Sequence, residues 1–436
     1  MIGQEYPLPR YLDRAGWYIL CVVALFGLAT SSVYRPGEIL LLILSLGGLY
    51  YWWPFLKRSP VFWVVALWVF YVVARTALTI DSHGYESINL HLQPWDYVLG
   101  SALMGLVGGM WLHADPRRLK WLVGMSLIGM LLYLLRDTDW QAVWSALAGE
   151  HPITRAAFST NANRYATVIV VLLVALLTLG VHYGSGLAGG VKRASAGLLI
   201  ALGFLFLWYV LILTESRQGI VGAAVVTAVC VALIPYLLAW ERWWRYTLVS
   251  VVVGIAAGVA AIAIGYVLSD AIQERFDQVV EAAVALAALP DTATMELSGS
   301  PNKRSYILLK GVELVRESPI LGIGPLDPAP FLDRFETVEF HNVFLDVLVS
   351  FGVVGLGFFL TPLVALIWHY RGAVVFCPKD KPFVVFCAVA LLSFLVTMMF
   401  SARISSDLGR YMLLISLSVA GLSYYKSRIQ ACRKIK

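Results

Sequence analysis

An all-α polytopic membrane protein is the fold class that the sequence predicts, on three observations. Apolar runs long enough to cross a bilayer recur along the whole chain, charged residues are scarce, and lysine and arginine gather in alternate links. Hydrophobic residues make up 59% of the chain and charged ones 14%, against about 25% charged in an ordinary globular protein; mean hydropathy is +0.76. A soluble core has no use for so much apolar surface.

A hydrocarbon layer of about 30 Å crossed at 1.5 Å per residue needs about 20 apolar residues. Runs of that kind fall at 16–33, 38–53, 60–79, 97–113, 119–136, 164–183, 194–213, 217–239, 246–268, 342–369, 382–400 and 408–425, which predicts about 12 transmembrane helices. The segment before the first carries Tyr6, Pro7 and Pro9 and leads into a full-length span, so it is read as retained and not as a cleaved signal peptide.

Cytoplasmic links carry the excess of Lys and Arg. With the N-terminus inside, every inner link is basic: Arg10 and Arg14; Lys57 and Arg58; Arg117, Arg118 and Lys120; Lys192 and Arg193; Arg242 and Arg245; Arg371, Lys379 and Lys381; and the tail from Lys426 to Lys436. Both termini are expected in the cytoplasm. The formal charge of +6 then follows from topology, and without a basic soluble domain it gives no support to nucleic-acid binding. Cys21, Cys230 and Cys387 lie in spans, while Cys377 and Cys432 fall on the inner side with no metal-ligand spacing, so neither a disulfide nor a structural metal is expected.

The outer face is left with segments around 80–96 and 137–163 and one long loop, 269–341, in a chain (1–436) with no fixed-period repeat, read as a single membrane domain. A structureless loop of that length is unusual, and its sequence suggests a helical cap. Ile272, Phe276, Val279, Val280 and Val284 recur at helical spacing, as an interfacial helix or as one packing on its neighbours. A second helix is expected from about Lys303 to Glu317, closed by Ser318-Pro319 and the Gly/Pro-rich turn Leu321-Gly322-Ile323-Gly324-Pro325.

Basic residues on the outer face are almost all arginine: Arg35, Arg75, Arg136, Arg155, Arg164, Arg217, Arg275, Arg304, Arg316, Arg334, Arg403 and Arg410, against Lys303 and Lys310. Topology does not choose between the two cations, whereas phosphate or carboxylate oxygens favour the bidentate guanidinium fork. An anionic substrate accounts for the bias; interfacial anchoring by arginine is the alternative. Arg217, in Thr214-Glu215-Ser216-Arg217-Gln218-Gly219, lies at or inside the membrane boundary, where ionisable side chains usually face a polar cavity. Pairing with Glu215 or snorkelling would also explain it.

His341, in Glu339-Phe340-His341-Asn342-Val343, stands where the long loop meets a span. Its ordinary pKa suits a general base at neutral pH, although a lone histidine is more often structural. Asn161, Asn163 and Arg164 open another span and are equally suited to capping it. His83, His91 and His151 read as surface residues. Asp137 with Asp139 and Asp327 with Asp333 form no cluster inside a span, so metal-independent chemistry without a cofactor is expected.

Ser216-Arg217-Gln218-Gly219 opening a span, Lys303-Arg304 through Glu317-Ser318-Pro319-Ile320-Leu321-Gly322-Ile323-Gly324-Pro325, and His341-Asn342-Val343-Phe344-Leu345 followed by Phe351-Gly352-Val353-Val354-Gly355 together resemble the O-antigen ligase (WaaL) family over about residues 210–360. The resemblance implies a GT-C-like arrangement in the bacterial inner membrane and an active site on the periplasmic face. It also implies an inverting transfer of polysaccharide from undecaprenyl diphosphate to a sugar hydroxyl of lipid A-core. His341 would match the family's essential histidine, and Arg217 and Arg304 its essential arginines. Asn163, Arg164, Gln218 and Asn342 would contact substrate. Gln218 departs from the glycine that often follows the Ser-Arg pair.

The implied partners are the carrier-linked O-antigen donor, the lipid A-core acceptor and membrane lipids. A related polymerase shares these motifs and transfers onto a carrier-linked repeat unit instead. The protein O-oligosaccharyltransferases usually carry an added C-terminal domain that is not seen here. A transporter would want inverted repeats and midplane polar residues, which the sequence does not display.

Overall fold

The computed structural model describes residues 8–84, 94–115, 117–148, 162–214, 216–237, 300–326, 340, 342–376, 380–399 and 407–435. Its elements are helices: α1 (Arg10–Phe26), α2 (Ser31–Leu56), α3 (Pro60–His83), α4 (Pro94–Leu99), α5 (Leu103–Leu112), α6 (Arg117–Asp137), α7 (Trp140–Leu147), α8 (Ala162–Ala175), α9 (Val181–Ser185), α10 (Gly190–Leu213), α11 (Arg217–Leu237), α12 (Ser300–Glu317), α13 (Val343–Phe376), α14 (Lys381–Met398) and α15 (Asp407–Ile435). A π-helical turn, Leu176–Gly180, joins α8 to α9.

Local sequence explains the ends. Ser59 caps α3 by accepting a hydrogen bond from the Phe62 amide, with Pro60 at the first helical position, where its missing N–H costs nothing. Between α4 and α5, Ser101 turns its hydroxyl back to the Val98 carbonyl at 2.5 Å and accepts from the Leu103 amide at 3.3 Å, so the apolar run breaks and restarts.

Among the described residues seven helices are long and apolar enough to cross a membrane: Ser32–Leu56, Pro60–His83, Arg117–Asp137, Ala162–Ser185, Gly190–Leu213, Val343–Ala373 and Lys381–Met398. This overturns the expected count of about 12, and the helices give no support to the GT-C-like arrangement. The reasons are local. The first run is a 17-residue helix that ends at Phe26. The run at 97–113 is cut at Ser101, and the one at 217–239 offers only the shorter apolar stretch Gln218–Val231. α15 dilutes its apolar residues with Arg410, Ser416, Ser418, Ser423, Tyr424 and Tyr425. The run at 246–268 and the amphipathic segment around Ile272 lie outside the described residues. Large apolar side chains exposed on α2, α3 and α10, among them Leu46, Phe70, Leu198, Leu199 and Leu202, suit a hydrocarbon surrounding. The protein is a polytopic membrane protein.

The chain forms two compact units. The first comprises Met1–Ser45, Trp111–Ser269 and Tyr370–Thr397. Its centre is α8, buried from Tyr165 to Ala175 and packed on α6, α10 and α11. α1 is tied to α6 by a bidentate pair, Arg118 to Asp13, both bonds 2.6 Å, with Trp17 5.2 Å from the same guanidinium. Lys120 pairs with Asp380 at 3.0 Å.

The second unit comprises Leu46–Met110, Asp270–His369 and Met398–Lys436. Trp68 of α3 donates to the Tyr97 carbonyl at 3.2 Å and packs edge-on against Phe351. α5 meets α15 backbone to backbone: a Cβ on Gly109 would lie 2.3 Å from the carbonyl carbon of Gly421, so only glycine fits. Arg410 is bound by Asp96 and, at 2.9 Å, by Asp407; the Arg410 and Asp96 side chains are 6% and 7% exposed.

A charge that deeply buried is tolerable only while paired, and removing one partner costs about 3–5 kcal/mol. Asp96→Ala is therefore expected to lower the thermal unfolding midpoint in detergent, and more so than Asp407→Ala, because the Asp407 side chain is 17% exposed. Equal midpoints for wild type and Asp96→Ala would show that the buried pair adds nothing.

Candidate functional site

Ser216 organises the polar corner of the first unit. Its backbone carbonyl accepts from the Ile220 amide at 3.0 Å and its hydroxyl from the Gly219 amide at 3.2 Å, which makes it the cap of α11. The same hydroxyl donates to the Asn163 side-chain oxygen at 2.8 Å, linking the start of α11 to the first turn of α8. Gln218 reaches the Asn163 backbone carbonyl at 3.5 Å and is buried. Gly219 permits the close approach, since a Cβ there would lie 2.6 Å from the Ala166 side chain. The Tyr165 hydroxyl shares a hydrogen bond with Thr138, fixing the start of α8 to the end of α6.

Arg217 is thus the first residue of α11. The free amides and dipole of a helix start favour an anion, and a guanidinium at that position adds to the same field. Its side chain lies outside the described part, as does Glu215. Arg164 is half-buried in the first turn of α8, next to Asn163.

In the second unit, α12 spans the helix expected at Lys303–Glu317 and carries Arg304, whose side chain is likewise outside the description. Tyr306, Ile307 and Leu314 of α12 pack in one buried cluster with Phe340 and with Val349 of α13. Asn342 caps α13, its side-chain oxygen accepting from the Phe344 and Leu345 amides at 3.0 and 3.1 Å. Asp346, buried in the first turn, accepts from the Phe340 amide at 3.1 Å. Positions 340 and 342 are therefore both pinned, while His341 between them lies outside the described residues. On α12, a 2.9 Å hydrogen bond to Glu313 raises the pKa of Lys310, making it a firm cation.

The turn after α12 is built into a break in α13. Gly352 has φ +65°, and the helix does not continue through it. An unbroken helix would bond the Val349 and Ser350 carbonyls to the Val353 and Val354 amides. Instead the Ile323 and Gly324 amides donate to Val349 and Ser350 at 2.9 and 3.0 Å, while Val353 and Val354 donate to the Pro319 and Ile320 carbonyls at 2.9 and 3.3 Å. A Cβ on Gly322 would lie 2.5 Å from the Phe351 amide nitrogen, and one on Gly352 2.2 Å from the Ile320 carbonyl oxygen. Glycine is required at both positions.

The sequence-predicted residues therefore fall into two groups: Asn163, Arg164, Arg217 and Gln218 on the first unit, Arg304, His341 and Asn342 on the second. Asn163 and Gln218 are joined through the Ser216 corner, and Asn342 acts as a cap. Sequence reasoning passed over Ser216 and Asp346, although a serine directly before a helix, whose hydroxyl can accept from the amide three residues on, is a usual capping signal.

These features define a polytopic helical membrane protein in which the starts of α11 and α13 are held by dedicated side-chain caps. Over residues 202–360, little more than a third of the chain, it is similar to the family model Wzy_C, O-Antigen ligase. A search of curated proteins found no match.

Asn342→Ala should cost about 1 kcal/mol of stability through loss of the cap, read as a lower unfolding midpoint, and Asn342→Asp should recover it because aspartate caps equally well. Loss of stability in both variants would count against the cap.

Proposed function

We propose that the protein is an O-antigen ligase, acting at the periplasmic face of a bacterial inner membrane with both termini in the cytoplasm. It transfers polysaccharide from undecaprenyl diphosphate to a sugar hydroxyl of lipid A-core. The observation that carries this reading is the shared cluster of the second unit. Tyr306 and Ile307, which follow Arg304 in sequence, and Phe340, which precedes His341, are buried together, and this supports a reading in which the arginine and the candidate base serve one reaction. The family match over residues 202–360 supports the same reaction class.

In this mechanism His341 takes the proton of the acceptor hydroxyl as its oxygen attacks the anomeric carbon of the donor sugar. The bond from that carbon to the carrier diphosphate breaks, and the electron pair leaves with the diphosphate. Arg304, on the same unit as His341, stabilises the charge on the departing oxygens, and Arg217 and Arg164 of the first unit are proposed as further anion-holding residues. One displacement inverts the anomeric centre, and metal-independent action is part of the proposal.

The test is a transfer assay with purified protein, undecaprenyl-diphosphate-linked glycan and lipid A-core, with and without EDTA. Wild type should form glycan-bearing lipid A in both, and His341→Ala should lose about 10²–10⁴-fold in rate, the usual worth of a general base. Wild-type rates in that variant would remove His341 from the mechanism. Longer carrier-linked chains in place of glycan-bearing lipid A would make the protein a polymerase.

A further inference from the structure

α3 lies far in sequence from the residues that carry the family match, yet one stripe of it is spent on the turn after α12. Tyr71, Arg75 and Thr79 follow at four-residue spacing and so share a helix face. The Tyr71 hydroxyl donates to the Phe351 carbonyl at 2.9 Å, a carbonyl just before the break at Gly352. Arg75 Nη2 donates to the Gly322 carbonyl at 2.8 Å, which also accepts from the Ser318 hydroxyl at 3.0 Å, so both its lone pairs are used. Thr79 lies directly under Gly324, where φ is +100° and a Cβ would come within 2.2 Å of the threonine hydroxyl.

Arg75 sits within a candidate span, pairs with no carboxylate among the described residues, and has its Nε buried without a hydrogen-bond partner there. An ionisable side chain kept in such a place at a cost in free energy is a functional candidate. Among the described residues, its side chain donates to the backbone of the turn that locks α12 to α13.

We propose that Arg75, acting through the Gly322 carbonyl with Tyr71 beside it, is a positioning residue for glycan transfer. It fixes the register between the helix that carries Arg304 and the helix start next to His341. The inference rests on the ligase reading for its catalytic consequence, and on the hydrogen bonds around Gly322 and Gly352 for its structural one. A guanidinium suits the task because it presents a rigid, permanently charged donor to a carbonyl that already accepts a second bond.

Two measurements on the full-length protein in detergent or nanodiscs test it: steady-state transfer with varied donor and acceptor, and hydrogen exchange at the Ile323, Gly324, Val353 and Val354 amides. Arg75→Ala should lower kcat by about 10- to 100-fold, the scale expected when a reacting group is misplaced by about 1 Å, with much smaller changes in KM. It should also speed exchange at those four amides while leaving α6 unchanged. Arg75→Lys, which still offers a donor, should recover most of both losses, and Tyr71→Phe should produce a smaller change in the same direction if Arg75→Ala proves unstable. Unchanged kcat overturns the proposal, and so does a fall in kcat/KM with unchanged exchange, which would mean that Arg75 binds substrate itself. A wild type that transfers no glycan defeats the ligase reading instead; the register then stands or falls on the exchange result.

Discussion

Backbone hydrogen bonding at the break in α13 is the constraint on which the second unit depends. In a membrane, an N–H or C=O without a partner costs several kcal/mol, because no water is at hand to replace a lost helical bond. Breaking a helix at Gly352 opens the carbonyls of Val349, Ser350 and Phe351 and the amides of Val353 and Val354. Each is filled: two carbonyls by the Ile323 and Gly324 amides, the third by Tyr71, and the two amides by Pro319 and Ile320. Neither partner can move without exposing the other. α12, the turn and α13 consequently behave as one piece, and the buried cluster of Tyr306, Ile307, Leu314, Phe340 and Val349 grows on that base.

This gives a physical meaning to the Ser-Pro-Ile-Leu-Gly-Ile-Gly-Pro and Phe-Gly segments. They include the helix stop, the positive-φ glycines and the close-approach glycines of a single exchange of hydrogen bonds. Their part is to tie α12 to α13, and the residues proposed to do chemistry lie outside them in sequence. The Ser216 corner of the first unit follows the same rule, with a cap and a short polar link at the start of α11.

Much of the helical content was legible in the sequence. Long uniform apolar runs became α3, α6, α10 and α14 with ends close to those expected, because in an apolar medium length and hydropathy alone decide. The number of spans was not legible. A run of mean apolarity does not show that Ser101 will bond back to Val98 and restart the helix, nor that Arg410 will find Asp96 and let a polar α15 be buried. The turn at Leu321–Pro325 was visible from its glycines, but its seat was not: Tyr71 and Phe351 are 280 residues apart, and no local pattern announces that contact. Asn342 shows the same limit from the other side. The family resemblance implied a contact with substrate, and only the Phe344 and Leu345 amides reveal the cap bonds that it makes.

The excess of arginine on one face was the chemical clue in the sequence, and the structure divides that excess by cause. Arg410 is neutralised by Asp96 and Asp407, and Arg136 by Asp137 at 2.5 Å, so these charges serve the fold. Arg75 holds a backbone carbonyl. A bidentate fork is as useful for such tasks as for a phosphate, which means that counting arginines overstates the evidence for an anionic ligand. Discrimination comes from placement. Arg217 opens a helix whose cap is held by a neighbouring helix, and Arg304 stands near the start of a helix whose following turn is locked into α13. Both positions lie at or near the start of a helix, where unpaired amides and the helix dipole add positive potential.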